Sequence, residues 1–316
     1  MIPVFRRMVR HPVEVVIAAL IAIFAVAIGR FFDSGNLQNI LAQLAPVLLL
    51  ASGQAIVMIS GGLDLSQGSM VGVASVCFIV LSRDLGLAGA GFATVAIAAS
   101  VGALNAMATK FLRNSFIATF SSMYVLMGAI IYATGGTPIS EMHAATRSTL
   151  AGIGAGTIAG LPAAFLLATV PVAVLAFFLH RSRAGLQVFA WGSNSSAARV
   201  HGIREIPVLL SAFVVSAVFA ALSGMLLSAR VLQGNPQMGE GLIFESIAAC
   251  VVGGVSLSGG IGGVWSAVRG CLLIAIIQNG LYLSDMNSHV RDIVVGVMIA
   301  FSVLVTRTRP QQSNLS

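Results

Sequence analysis

About ten runs of apolar residues, each near the ~20 residues that a helix needs to cross a bilayer, take up most of this chain. They cover residues 13–32, 37–59, 67–82, 87–108, 116–133, 161–179, 208–227, 243–255, 264–283 and 290–305. The third and eighth are short for a full crossing, and each adjoins a glycine-rich stretch. Lipid offers no partner for backbone N–H and C=O groups, so such runs must satisfy them internally as helices. The expected fold class is therefore all-α, a polytopic transmembrane helical bundle forming a single domain over residues 1–316.

Composition agrees with this and excludes other classes. The chain is 57% hydrophobic and 9% charged, against about 25% charged in a soluble domain. Its 34 glycines suit helices that approach closely. The net charge of +7 comes with no basic patch interleaved with aromatics, so nucleic acid is not an expected partner. Cys77, Cys250 and Cys271 lie inside apolar runs without metal-ligand spacing and read as small packing residues. Arg6, Arg7 and Arg10 precede the first run as in a signal peptide. The small-x-small triplet Ala25-Val26-Ala27 falls within that run rather than after it, which predicts an uncleaved first helix.

The cations give an orientation. With the N-terminus in the cytoplasm and ten alternating spans, the inner ends hold Arg6, Arg7, Arg10, Lys110, Arg113, Arg181, Arg183, Arg199, Arg204, Arg307 and Arg309. The outer ends hold Arg30, Arg83, Arg147, Arg230 and Arg291, and Arg269 lies within a span. Eleven against five, with one left over, accounts for all 17 basic residues and favours N-in, C-in. Residues 135–160 then form a long outer loop. Residues 181–205, with four arginines, form the longest cytoplasmic loop.

One segment is echoed. Gly61-Gly62-Leu63-Asp64-Leu65-Ser66-Gln67-Gly68 matches Gly253-Gly254-Val255-Ser256-Leu257-Ser258-Gly259-Gly260 at six of eight positions, counting aliphatic swaps. Glycine-interrupted segments in corresponding halves point to a substrate path, because unwound backbone is tolerated only beside a cavity or buried in protein.

Catalytic machinery is not expected. The only lysine, Lys110, sits between Thr109 and Phe111, which rules out a Walker A site. The five histidines fall at span ends or in loops, none paired at metal or triad spacing. No cofactor or metal is expected. Asp64 in the first break is open to two readings, a functional carboxylate facing a cavity or a cap for a helix starting near Leu65. Glu245 opens the short eighth span at an interface. Arg269 lies close enough to the inner face, about 10 Å, to snorkel. Gln43, Gln54, Asn105, Thr119, Gln278 and Asn279 lie within spans and suit interhelical hydrogen bonds or a neutral polyhydroxylated solute.

An ordered series of motifs carries a family resemblance. Ile59 through Ser69 (ISGGLDLSQGS) resembles the signature of ribose-type ABC importer permeases. The likeness continues through Gly102-x-x-Asn105, Phe116-Ile117-Ala118-Thr119 and Thr134-Gly135-Gly136-Thr137-Pro138-Ile139. Next come Gly192-x-Asn194-x-x-Ala197-Ala198-Arg199-x-x-Gly202-Ile203, Ala229-Arg230 and Asn235-Pro236-x-x-Gly239. Gly253-Gly254-x-Ser256-Leu257-x-Gly259-Gly260, Gly263-Val264-Trp265 and Asn279-Gly280-Leu281 complete it.

The resemblance implies a permease subunit in the bacterial inner membrane. Its partners would be a second permease copy (identical or related), a cytoplasmic ABC ATPase and a periplasmic sugar-binding protein. Implied pathway residues are Gly61, Gly62, Asp64, Asn105, Thr119, Asn235, Glu245, Gly253 and Gly254. Asn194, Ala197, Ala198, Arg199 and Gly202 are implied to couple to the ATPase. That coupling segment is expected to form a short helix with small alanines on its docking face, Arg199 near its end and Gly202 closing it. Ser196 and Ile243 stand where the family usually has acidic residues, Glu245 where it has Asp, and Arg269 at an aliphatic position. Two other classes remain open at this level, a proton-coupled carrier using Asp64 or Glu245 and a passive channel.

Overall fold

A computed structural model describes residues 12–284, together with Met286, Asn287, Ile293, Gly296 and Val297. The span expected over 290–305 is largely outside these, as are Arg6, Arg7, Arg10, Arg291, Arg307 and Arg309. The described residues form α1 (Pro12–Ala27), α2 (Ser34–Ile59), α3 (Gln67–Leu112), α4 (Ser115–Thr134) and α5 (Ala144–Ala155). There follow β1 (Thr157–Ile158), β2 (Leu161–Pro162), α6 (Ala163–Arg181), α7 (Arg183–Ser193), α8 (Ser195–Val200), α9 (Glu205–Val231), α10 (Leu242–Gly253) and α11 (Val264–Leu283). Among the described residues the architecture is all-α apart from one two-residue strand pair. Among the described residues six helices are long and apolar enough to cross a membrane, and α1 and α10 are shorter apolar helices.

Helix α3 corrects the impression of a short third span. It is two arms joined at Gly86, whose φ of 66° and ψ of 175° are non-helical. The arms run back to back: Asn105 Nδ2 donates to Ser66 Oγ at 2.8 Å near one end, while Phe78 and Ala90 share an apolar cluster near the other. Two stretches expected as loops hold structure instead. Residues 135–160 contain α5 and the hairpin turn Ala159-Gly160, both at positive φ (51° and 81°), the pairing that a two-residue type I′ turn requires. Residues 181–205 contain α7 and α8.

The centre of the bundle is α2 against α9, with α3 wrapped on the other side of α9. Pro46 in α2 has no N–H, so the carbonyl of Ala42 four residues earlier loses its helical donor. Arg230 of α9 supplies one, Nη1 donating to Ala42 O at 3.2 Å. Ser223 Oγ donates to the carbonyl of Pro46 at 3.1 Å. A proline and an arginine that would each be costly at membrane depth thus answer one another. Asn279 and Asn36 exchange two hydrogen bonds between α11 and α2 at 2.8 and 3.0 Å. Gln54, although in the interior of α2, carries a buried amide with no partner among the described residues. The two buried cysteines act as small packers, Cys250 Sγ lying 3.1 Å from Ala51 O and Cys271 Sγ 3.8 Å from Val47 O.

Arg269 turns back toward the start of α11, where its Nε donates to Trp265 O at 3.3 Å. Its guanidinium pairs with Glu14 Oε1 of α1 and reaches Ser266 Oγ at 3.2 Å. An oppositely charged group on the neighbouring helix thus answers it at that end of the bundle.

Close helix crossings fall at small residues. A Cβ on Gly102 of α3 would come within 2.7 Å of Val214 Cα on α9, whereas one on Gly128 of α4 would meet nothing within 4 Å. Alanine normally stabilises a helix by about 0.5–1 kcal/mol over glycine. Gly128→Ala is therefore expected to leave thermal unfolding in detergent unchanged or slightly raised. Gly102→Ala should lower it, by about 1–3 kcal/mol for forced overpacking. Equal midpoints for the two variants would mean that the α3–α9 crossing is not packed as described.

Candidate functional site

The site is built around an extended segment that follows α2. Helix α2 ends at Ile59, Gly61 takes a φ of 87°, and the chain turns back into the bundle before α3 starts at Gln67. Gln67 Nε2 reaches Leu50 O at 3.3 Å, so α3 begins nine residues back along α2, about 14 Å of helix rise. Backbone in this position needs partners, and polar side chains of α4 supply them. Leu63 N donates to Ser115 Oγ at 3.1 Å and Leu65 N to Thr119 Oγ1 at 3.0 Å. Thr119 Oγ1 lies 3.1 Å from Leu63 O, to which it can donate.

Asp64 is fully buried at the heart of this segment. Its Oδ1 accepts from Ser66 N at 3.0 Å and Ser66 Oγ at 2.6 Å, and its Oδ2 accepts from Ser216 Oγ of α9 at 2.6 Å. Each serine hydroxyl is in turn an acceptor, from Asn105 Nδ2 at 2.8 Å and from Gln67 Nε2 at 2.8 Å. Amide groups can only donate here, so both hydroxyls must point their protons at the carboxylate. Two donor chains converge on one acceptor-only group. The carboxylate also satisfies the N–H just ahead of α3, which starts two residues later than the expected Leu65.

Of the residues implicated from sequence, Gly61, Gly62, Asp64, Asn105 and Thr119 come together here. Asn235 lies elsewhere, its N–H donating to Ser75 Oγ on α3 at 2.9 Å. Glu245 borders a narrow cleft with Gln43 and Gln278. Gly253 packs against the carbonyl of Ser266, and Gly254 caps α10 at a φ of 99°. The echo is visible as local geometry: Ser256 Oγ accepts from Ser258 N at 3.1 Å, as Asp64 Oδ1 does from Ser66 N.

The two echo segments also touch. Gly260 N donates to Ile59 O at 2.8 Å, and a Cβ on Gly259 would lie 2.9 Å from Gly61 Cα and 2.6 Å from Gly192 O. Gly192 sits at the end of α7, where any Cβ would run into Ile59 O and Gly260 N. Two loops and the end of α7 therefore meet backbone to backbone at Gly61, Gly259 and Gly192. In the sequence Gly192 stands out only as part of a motif, because its role depends on a contact between segments distant in sequence.

Directly after this junction comes the short helix expected from sequence. Asn194 Oδ1 accepts from Ala197 N at 3.0 Å, α8 runs Ser195–Val200, and Gly202 takes a φ of 80° after it. Arg199 pairs with Glu205 at 3.0 Å and lies 5.2 Å over the Trp191 ring. The face differs from expectation. Ala198 is buried against the bundle, while Ala197 is exposed and Val200 is 86% exposed.

A second feature has no sequence forewarning. The first turns of α3 and α10 face each other, with Gly68 close against Gly239 O. A cleft of about 160 Å³ beside them is lined by Ser69, Met123, Pro236, Glu240 and Phe244 among others. Elsewhere on α4 Phe116, Phe120 and Tyr124 are exposed in series, Phe116 stacked on Phe120 at 5.7 Å and Phe120 edge-on to Tyr124 at 5.0 Å.

Residues 36–303 match the family described as the permease component of the branched-chain amino acid transport system. The chain belongs to that family. Among its relatives, the ribose import permease RbsC of Escherichia coli (strain K12) is 30% identical over 293 residues, 92% of this chain and 91% of that protein. The probable ABC transporter permease YphD of the same strain is 34% identical over 302 residues, 95% and 90% of the two chains. The galactose/methyl galactoside import permease MglC, also from that strain, is 31% identical over 308 residues, 92% of each. No solved structure matches the chain. Like these permeases, it is a multi-pass integral membrane protein.

The direction of the Asp64 network is testable. Asp64→Asn places an NH₂ opposite a hydroxyl that is already donating, leaving one buried donor unanswered at a cost of about 1–3 kcal/mol. Thermal unfolding of the purified protein should fall accordingly. An unchanged midpoint would mean that the two serine hydroxyls are free to reverse.

Proposed function

We propose that this chain is the membrane-spanning permease subunit of a binding-protein-dependent ABC importer for a sugar. It has no catalytic chemistry of its own and works by alternating access driven by a partner ATPase. The observation that carries the reading is the family match over nearly the whole chain, which includes sugar import permeases of two kinds. In the bacterial inner membrane, two copies or two related permeases would form the pathway, and a periplasmic binding protein would deliver the sugar.

On this reading Asn194, Ala197, Ala198, Arg199 and Gly202 form the coupling element. Ala197 and Val200 face the ATPase, and Ala198 seats the helix on its own bundle. The backbone contacts at Gly192 give α8 a direct route to Gly61 and Gly259. Gly61, Gly62, Asp64, Asn105 and Thr119 then frame the moving wall of the pathway rather than contacting sugar. Gly253 and Gly254 shape its second break. Asn235 and Glu245 belong to the outer approach, near the cleft where Ser69, Glu240 and Phe244 offer the mixed polar and ring surfaces that sugars use. Ten spans with both termini inside remain the topology that the arginine distribution favours.

Two experiments test these assignments. Single cysteines at Ser193 and Glu141, both exposed, are expected to react with a membrane-impermeant maleimide from opposite faces, Ser193 from the cytoplasm. Labelling from one face would overturn the topology. Separately, Ala197→Trp and Val200→Asp should cut ATP-driven uptake in the assembled transporter about tenfold or more, the scale of losing a central contact, with insertion intact. Normal ATP-driven uptake in both would remove α8 as the coupling element. Uptake driven by a proton gradient in the permease alone would favour the carrier reading instead.

A further inference from the structure

Between the end of α9 and the start of α10 the chain turns inward along α3. Gly234 packs against Val76, Pro236 against Gly72, and Gly239 against Gly68, where a Cβ on Gly68 would lie 3.0 Å from Gly239 O. Residues 234–239 thus run antiparallel to eight residues of α3, about 12 Å of helix rise. They deliver Glu240 to the level of the first turn of α3. Tight turns fix it there: Asn235 Oδ1 accepts from Gln237 N at 2.9 Å, and Glu240 N donates to Gln237 O at 3.1 Å.

Depth decides what such a residue can face. Gln67 is level with Leu50, nine residues from the end of α2 at Ile59, and Gly68 lies fifteen residues before Arg83 near the elbow of α3. In helix rise these separations are about 14 Å and about 22 Å. Glu240 is exposed, as are Gln237 and Phe244 beside it. A side chain with two methylenes reaches neither end of the bundle from there. A carboxylate turned to hydrocarbon at that depth is costly, and ionisable groups so placed face protein or water-filled space. The groove between α6 and α9 makes the contrast, since apolar residues alone line it, as suits a surface turned to lipid.

We propose that Glu240 lines a water-filled stretch of the transport pathway and sets its charge preference, admitting neutral and amino sugars and repelling sugar acids and sugar phosphates. Among the described residues Glu240 is the one charged group lining the 160 Å³ cleft, with Ser69 as its polar neighbour. An ionised carboxylate only accepts hydrogen bonds, so it receives solute hydroxyls or an ammonium group. Low-dielectric walls focus its field on whatever passes, and acidic side chains placed in this way make a pathway favour cations over anions. That the solute is a sugar, and that a second permease closes this face, rest on the importer reading. The water and the charge preference rest on depth and exposure alone.

The test measures water and charge directly. Sonicated membranes from cells expressing the full-length chain expose both faces to membrane-impermeant methanethiosulfonates, one cationic and one anionic. Rates are taken above the reactivity of the unsubstituted chain. Val174→Cys is the lipid-facing control, since Val174 lies midway along α6, is 63% exposed and borders the apolar groove. Glu240→Cys and Gln237→Cys should each react about tenfold or more faster than this control, because only a hydrated thiolate is reactive. Gln237→Cys should also react faster with the cationic reagent. Adding Glu240→Gln should lower its cation-to-anion rate ratio about threefold or more, the order expected of one unit charge several ångströms away in water. Adding Glu240→Asp, which keeps the charge, should preserve that ratio.

Reaction of both thiols no faster than that of Val174→Cys would overturn the proposal, whether lipid or a dry protein contact covers the face. Fast reaction with a rate ratio indifferent to Glu240→Gln would overturn it too, leaving water without charge selection. The Gln237→Cys measurement stands by itself if Glu240→Cys fails to insert. Because neither ATP nor a binding protein enters these rates, their failure leaves the importer reading standing. Absence of ATP-driven uptake in the assembled transporter, conversely, would count against that reading and leave the charged, hydrated stretch in place.

Discussion

Everything at the centre of this bundle depends on keeping residues 60–66 hydrogen-bonded while they run, unwound, through its interior. A helix would satisfy these groups by itself, but an extended strand without a sheet has no such recourse, and water is excluded at this depth. The chain answers with side chains borrowed from its surroundings: Ser115 and Thr119 for the N–H groups of Leu63 and Leu65, and Asp64 for that of Ser66. Asp64 then requires its own donors, which Ser66 and Ser216 provide with Asn105 and Gln67 behind them. Four elements are tied into one cluster: the break itself, both arms of α3, and α9. The polar residues in these spans are the consequence of one irregular segment.

The glycine junction has a different physical character. At Gly61, Gly192 and Gly259 there are no side chains to rotate, and main chains bear directly on main chains. Side-chain contacts can absorb a displacement of a few tenths of an ångström by changing rotamer, whereas backbone contacts of this kind transmit it or break. The same property explains why the junction tolerates no alternative residue at Gly192, where a Cβ would enter the Ile59 carbonyl. A movement of α7 and α8 therefore reaches Ile59, the last residue of α2, with no intervening compliant layer. On the proposed function, this is what a coupling element needs, and it is achieved by omission of side chains rather than by a special group.

How much of this was legible beforehand follows from the range of each interaction. Runs of apolar residues report local burial, so α2, α4, α9 and α11 stood out with their ends within a few residues. The turn at Gly202 and the cap at Asn194 are also local, and the short helix between them was expected. Which face of that helix points outward was not, since Ala197 and Ala198 are chemically identical and only the packed bundle distinguishes them. The pairing of Arg269 with Glu14 could not be read locally, because the two lie 255 residues apart. Helix α5 was hidden by its composition: Ala144-Ala145-Thr146 and Gly152-Ile153-Gly154 read as loop, and packing against α9 overrides that weak local preference.

The echo between the two glycine segments gains a physical meaning from the same comparison. Both copies make a side-chain-to-backbone turn two residues long, at Asp64–Ser66 and at Ser256–Ser258, so the match in sequence is a match in local shape. Their environments have diverged. Asp64 is fully buried and has recruited three further polar groups, whereas Ser256, in a partly exposed loop, needs none. A carboxylate is sustainable only in the first setting, where converging hydroxyls meet its acceptor capacity. A hydroxyl suffices in the second, where solvent can complete the turn. The departure of Ser256 from Asp64 is thus what burial alone would select in two copies of one turn, one inside the bundle and one at its rim, and the two rims remain in contact through Gly61 and Gly259.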